Sequence, residues 1–205
     1  MKTALLLAIL AATMLLEGCV PLPLMAVAGA PLIVQAPLIE GAQQGYDGIR
    51  RDPLHADAAS GDPAAQYKLG DTYCCHGGGP MDSASIYDND KATHWYCQAA
   101  HQRYGPAQFR LARLYSGHPI RGVHIALRAS AMIGTFPTDP GLALMWASVA
   151  ADNGVQDAIA LRDEITAHAT GQQRARAAAL KEHWQTAPCR WGEVFPSASN
   201  NRSAR

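Results

Sequence analysis

The sequence predicts an all-α solenoid, built of helix pairs stacked in register with long loops inside the pairs. Two internal echoes and the composition predict it. Asp88, Ala92, Trp95, Ala99 and Ala100 recur 51 residues later as Asp139, Ala143, Trp146, Ala150 and Ala151. Gln66, Leu69 and Tyr73 return 42 residues later as Gln108, Leu111 and Tyr115. Self-similarity at such a period marks helical units that bury their apolar faces only against their neighbours. Alanine is abundant and there are only 3 Phe, which suits closely packed helices. No stretch alternates with period two over the length of a strand. A chain of this kind offers a binding surface more readily than a catalytic pocket.

The 205 residues, with their ends set aside, amount to one domain of ordinary size with a real core. Lys plus Arg number 17 and Asp plus Glu number 17, so the net charge is zero. Nucleic acid is therefore not expected as the main ligand, because phosphate binding needs a cationic surface.

The elements follow in order. Lys2 and the apolar run Ala4 to Leu16 have the length of a secretory signal and are too short to span a bilayer; residues 1–18 read as a signal peptide. Residues 19–45 read as a proline-rich tether, extended up to about residue 40, with Pro21, Pro23, Pro31 and Pro37 interrupting any longer helix. The folded domain is expected over 46–184. Asp47 to Ser60 is a weak first helix with Pro53 badly placed in its interior. Asp62 then caps, and Pro63 opens, a helix running to Cys75, with Ala65, Leu69 and Tyr73 on one face. His76 to Pro80, "HGGGP", ends it. Asp90 to Gln102 is the next helix, with Trp95 and Ala99 on one face, and Gly105-Pro106 turns the chain into Ala107 to Ser116. The long segment Gly117 to Thr138 holds a short helix near Val123 to Ile133. Asp139-Pro140 opens a helix that ends near Asn153-Gly154, and Val155 to His168 is its partner. Thr170 with Gln173 fits a capping box for a last helix to about Trp184. Residues 185–205 read as a C-terminal tail, loose beyond Pro196.

These residues resemble the Sel-one-like repeat family, a relative of tetratricopeptide repeats. "AQYKLGDTY" and "AQFRLARLY" match the first half of its pattern, and "DNDKATHWYCQAA" and "DPGLALMWASVAA" match the second. The closing glycine is present at Gly61 and Gly154. The middle unit has Arg103 there, a departure that Gly105 is expected to offset. The resemblance covers about residues 57 to 184. It implies a repeat core of Ala65, Leu69, Tyr73, Ala92, Trp95, Ala99, Ala107, Leu111, Tyr115, Ala143, Trp146 and Ala150. In physical terms, alanines let helices approach closely, and Trp and Tyr fill the gaps between layers. Both intra-pair loops, about 74–87 and 116–138, are longer than the family pattern. Separately, "LEGC", Leu16 to Cys19, resembles a bacterial lipobox; Gly18 and Cys19 match and Glu17 departs. That resemblance implies lipidation of Cys19, with ordinary cleavage after Ala30 as the alternative. Val20, in place of Asp, implies the outer membrane.

Four further cysteines, Cys74, Cys75, Cys97 and Cys189, are disulfide candidates in an exported chain. A bridge from Cys74 or Cys75 to Cys97 is geometrically reasonable across the helical hairpin and resembles the cysteine-rich members of the family. The remaining member of the adjacent pair is then expected to bond Cys189. The sequence does not choose among the three connectivities. A zinc site from Cys74, Cys75, His76, His94 and Cys97 is the alternative, disfavoured because adjacent cysteines poorly share one ion. "HGGG" imitates an esterase oxyanion motif, but no G-x-S-x-G accompanies it. The 8 histidines show no H-E-x-x-H spacing. Arg174, Arg176 and Lys181 read as a solvated helix face.

The resemblance implies a non-enzymatic adaptor or assembly subunit without catalytic residues, cofactor or metal. It would be lipid-anchored through Cys19, face the periplasm, and bind another envelope protein. The alternatives are a protein that binds or hydrolyses peptidoglycan-like or β-lactam compounds, and a secreted host-interaction factor.

Overall fold

A computed structural model describes residues 32–75, 86–118 and 136–196. The chain divides into two compact units, Met1–Ile39 and Glu40–Arg205. Of the first unit only the opening turns of one helix are described. Every regular element among the described residues is helical: α1 (Leu32–Ala59), α2 (Pro63–Tyr73), α3 (Asn89–His101), α4 (Gly105–Ser116), α5 (Pro140–Asp152), α6 (Gln156–His168), α7 (Gly171–Glu182), a 3-10 turn (Trp184–Thr186) and α8 (Trp191–Val194). The fold is the all-α repeat stack that the echoes predict. The segment 123–133 lies outside the described residues. Among them, no helix is long and apolar enough to cross a membrane.

Helix starts follow local chemistry. The Asp62 carboxylate accepts from the amides of Ala64 and Ala65, that of Asp88 from Asp90 and Lys91, and that of Asp139 from Leu142. Pro63, Pro106 and Pro140 lie in first turns, where no backbone donor is lost. Thr170 and Gln173 form the expected capping box.

The helix ends repeat as closely. Gly61, Arg103 and Gly154 all have positive φ, at 99°, 65° and 83°. Beside each, an amide reaches back five residues: Asp62 to Asp57 O (3.1 Å), Tyr104 to Ala99 O (3.1 Å) and Val155 to Ala150 O (3.0 Å). These are three copies of one left-handed helix stop. Gly105 therefore does not offset Arg103; Arg103 takes the left-handed conformation itself. Gly105 serves another need, since a Cβ there would lie 2.6 Å from Val155 Cγ2.

The long loops are also clamped alike. The Asp88 amide donates to Tyr73 O and the Asp139 amide to Tyr115 O, both at 2.8 Å. Whatever the loop length, each pair closes on the same bond.

Packing runs from α2 to α3, α3 to α4, and α4 to α5; α5 also meets α6, α7 and the 3-10 turn. Residues 141–147 of α5 are all buried, as expected for a helix that is apolar on every side.

Two expectations change. Helix α1 begins at Leu32, so the second part of the supposed extended tether is helical. It also passes Pro53, despite the lost donor. Tertiary contacts on both sides of Pro53 outweigh propensity. Asp47 accepts from the Tyr87 hydroxyl (3.1 Å), and Arg51 donates to Thr72 O (2.6 Å) and Ile86 O (3.0 Å). His55 meets the Tyr73 hydroxyl at 3.3 Å. The second change is at the other end. Residues 185–195 are not a tail: Ala187, Cys189 and Trp191 are buried in the main core. The Trp191 amide donates to Thr93 Oγ1 (2.8 Å) and the Gly192 amide to Asp90 Oδ1 (2.7 Å).

Candidate functional site

The echo of Gln66 and Gln108 has a structural cause. Each is buried on the first helix of its pair. Gln66 Nε2 donates to Ala58 O (3.1 Å), and Gln108 Nε2 donates to Ala100 O (2.9 Å). Gln66 Oε1 accepts from Gln102 Nε2 (2.9 Å), and Gln108 Oε1 accepts from Asn153 Nδ2 (2.6 Å). One amide thus ties three successive helices, twice, with donor and acceptor both satisfied.

Most of the expected repeat core is buried: Ala65, Leu69, Ala92, Ala99, Ala107, Leu111, Tyr115, Ala143, Trp146 and Ala150. Tyr73 and Trp95 are only half-buried, around a smaller cluster of Ala58, Ala65 and Leu69. The cause is what covers them. Trp184 lies edge-on to Trp146 at 6.1 Å, and Trp191 stacks on Tyr115 at 6.2 Å. Their counterparts have polar covers instead. The Arg51 guanidinium sits 4.0 Å from the Tyr73 ring centre, and His55 and His94 flank Trp95 at 6.0 and 5.1 Å.

The disulfides join Cys97 to Cys189 and Cys74 to Cys75. The favoured bridge from Cys74 or Cys75 to Cys97 does not form. The docked C-terminal segment brings Cys189 to α3, with Cα atoms 5.9 Å apart, so Cys189 bonds Cys97 and not Cys74 or Cys75. The three thiols of the zinc alternative are all oxidised. Cys19 and His76 lie outside the described residues.

Two surface features stand out. The first is a half-buried stripe on α2 and α4. Tyr67, Tyr104, Phe109, Arg110 and Arg113 are all partly exposed there. The Arg110 guanidinium lies 5.5 Å from the Tyr67 ring centre and Arg113 lies 5.7 Å from that of Phe109; the rings of Tyr67 and Tyr104 are 5.7 Å apart. Arg110 grips the Asp71 carboxylate with Nε (3.1 Å) and a terminal nitrogen (3.2 Å), and also donates to the Tyr67 hydroxyl (2.8 Å). The Tyr96 hydroxyl donates to Asp71 at 2.7 Å. Burial pushes the Asp71 carboxyl above its ordinary range, while Arg110 and the tyrosines pull it back. Burial alone would lower Arg110, but Tyr96, Asp71 and Tyr67 outweigh it, so the guanidinium stays charged. Burial, then Asp71, raises both Tyr67 and Tyr96. The Tyr96 ring needs Gly70 opposite it, where a Cβ would lie 2.6 Å from the ring.

The second feature is a cleft of about 560 Å³ between α3 and the C-terminal segment. His94, Cys97, Gln98 and His101 line one wall, and Cys189 and Arg190 the other. Burial holds both imidazoles below their ordinary value; Arg190 adds to this for His94, while Glu193 opposes it for His101. Among the described residues, no group of three or more His, Cys, Asp or Glu is placed to hold a metal ion.

Sequence reasoning passed over the stripe. A signal was available, because Tyr67 and Phe109 occupy the same place in "AQYKLGDTY" and "AQFRLARLY". Helix stops and loop clamps match between the units, and the Sel1 repeat family matches residues 63–104, 105–120 and 132–155. The chain carries Sel1 repeats. The first match takes in α2 and α3; the second pair is matched in two pieces, either side of its long loop. Sel1 repeats generally mediate protein–protein interaction. No curated protein and no solved structure matches the chain.

Proposed function

We propose that this chain is a non-catalytic interaction module of the bacterial cell envelope. It is anchored through a lipidated Cys19, faces the periplasm, and serves as an accessory or assembly subunit bound to another envelope protein. The observation that carries this reading is the half-buried stripe of Tyr67, Tyr104, Phe109, Arg110 and Arg113 across two Sel1 units. Tyr and Arg are the residue types that dominate binding energy at protein interfaces. The Asp71 clamp holds Tyr67 and Arg110 in place beforehand, which reduces the ordering cost of association. Two disulfides support an oxidising compartment.

The test places a photo-crosslinking residue at Phe109 and, as a control, at exposed Ala160 on α6, in the full chain in intact bacteria. The reading expects a discrete higher-mass product from position 109 and none from 160. Equal or absent products at both would refute it. Metabolic labelling with a fatty acid tests the anchor: incorporation that disappears in Cys19→Ser supports it, and no incorporation removes it.

A further inference from the structure

The bond between Cys97 and Cys189 closes a strap. Residues 184–195 leave α7, cross Trp146 through Trp184, bond to α3 through Cys189, and seat Trp191 against Tyr115 and Phe136. Among the described residues, polar ties also hold the strap. These are the Trp191 and Gly192 amides on Thr93 and Asp90, and the Tyr115 hydroxyl on Cys189 O. The amide ties, helix stops and loop clamps of the repeat stack involve no strap residue. The strap's polar ties are therefore separate from those of the stack, and what else holds it is the disulfide and the burial of Ala187, Cys189 and Trp191 against the core.

Beside the bond lies the α3–strap cleft, and both bonded cysteines line it; Cys74 and Cys75 do not. Cys97 follows His94 by three residues and precedes His101 by four, so both imidazoles share its face of α3 and line the same cleft. Arg190 stands next to Cys189 on the opposite wall.

We propose that the Cys97–Cys189 bond is a thiol-exchange site, reached through this cleft by a small dithiol reductant, and that its opening frees the strap. A thiolate of the reductant attacks Cys189 Sγ. A sulfur–sulfur bond forms between them as the Cys97–Cys189 bond breaks, and the electron pair leaves on Cys97. The imidazoles of His94 and His101 flank that departing sulfur; they hydrogen-bond to the thiolate and pass it a proton from solvent. The second thiol of the reductant then attacks its own sulfur in the mixed disulfide and releases Cys189. The reductant ends as a disulfide, and the protein gains two electrons and two protons as two thiols. Once free, the strap withdraws Trp184 and Trp191 and uncovers Trp146, Tyr115 and Phe136. His94 and His101 act here as proton donors to the departing sulfur.

The test uses the native, full chain with any free thiol blocked beforehand. It is treated with dithiothreitol for graded times, alkylated with iodoacetamide, and mapped by peptide mass, with hydrogen exchange followed in parallel. Cys97 and Cys189 are expected to be alkylated roughly tenfold or more sooner than Cys74 and Cys75. Amides of 186–195 should gain exchange while those of α4 and α5 keep their protection. Equal alkylation of the two pairs, or alkylation of Cys97 and Cys189 only as α4 and α5 lose protection, would overturn the proposal. Paired His94→Gln and His101→Gln substitutions should slow the opening several-fold with the helical circular dichroism unchanged. An unchanged rate would overturn the role given to the imidazoles.

Discussion

Arg103→Gly should make this protein more stable. Arg103 is the middle of three equivalent helix stops, and the only one of the three that is not glycine. Its φ of 65° puts its Cβ in the left-handed region, which costs an L-residue about 1–2 kcal/mol. Glycine removes that cost but adds about 0.5–1 kcal/mol of chain entropy to the unfolded state. The side chain of Arg103 is exposed and makes no hydrogen bond or ion pair among the described residues, so little else is lost. The net gain should be about 0.5–1 kcal/mol. Gly154→Ala is the mirror experiment. Its φ is 83°, and nothing lies within 4 Å of the added Cβ, so the expected loss of about 1 kcal/mol is conformational alone. Urea unfolding followed by circular dichroism reads both. With a slope of about 2 kcal/mol per molar, Arg103→Gly should raise the midpoint by about 0.3–0.5 M, and Gly154→Ala should lower it by a similar amount. A lower midpoint for Arg103→Gly, or no change for Gly154→Ala, would refute the three-stop reasoning.

The two repeated tryptophans should differ in worth. Trp146→Ala should cost about 3–5 kcal/mol, because the ring is fully buried beneath Trp184, whereas half-exposed Trp95→Ala should cost about half as much; the same urea series checks it. Gly70→Ala should cost about 1–3 kcal/mol by driving a methyl into the Tyr96 ring, and Tyr96→Ala in the same chain should relieve part of that, measured as non-additivity. Burial holds His94 and His101 below their ordinary value, so the unfolded chain binds their protons more readily. Their contribution is present above about pH 6.5 and fades as the pH falls through their folded values. Thermal melting between neutral pH and pH 5 should show this fall, and paired His94→Gln and His101→Gln should flatten it.

The repeat stack was legible because its parts are local. A capping aspartate, a first-turn proline and a helix-stop glycine each act within a few residues, and all recur at fixed spacing. Gln66 and Gln108 were visible as an echo, but not as ties, because their partners lie on helices before and after their own. Arg103 was visible as a departure; propensity pointed to relief by Gly105, while the turn geometry left no alternative to φ of 65° at 103 itself. The strap was misread for a different reason. Its Ser-, Asn- and Arg-rich end suggested a loose tail, yet Trp191 and Cys189 find partners far back along the chain, on α3 and α4. That non-local docking also decided the disulfide pairing. Helix α1 failed the same way around Pro53, where Arg51 and Asp47 reach residues far along the chain.

A buried glutamine amide joins each pair of helices to the next. A double-mutant cycle between Gln108 and Asn153, using alanine at each position and urea unfolding, tests it directly. The two losses should be coupled by about 1 kcal/mol, with a coupling of the same sign between Gln66 and Gln102. Losses that add to within about 0.3 kcal/mol at Gln108 and Asn153 would mean that the layers are not held in register by these amides.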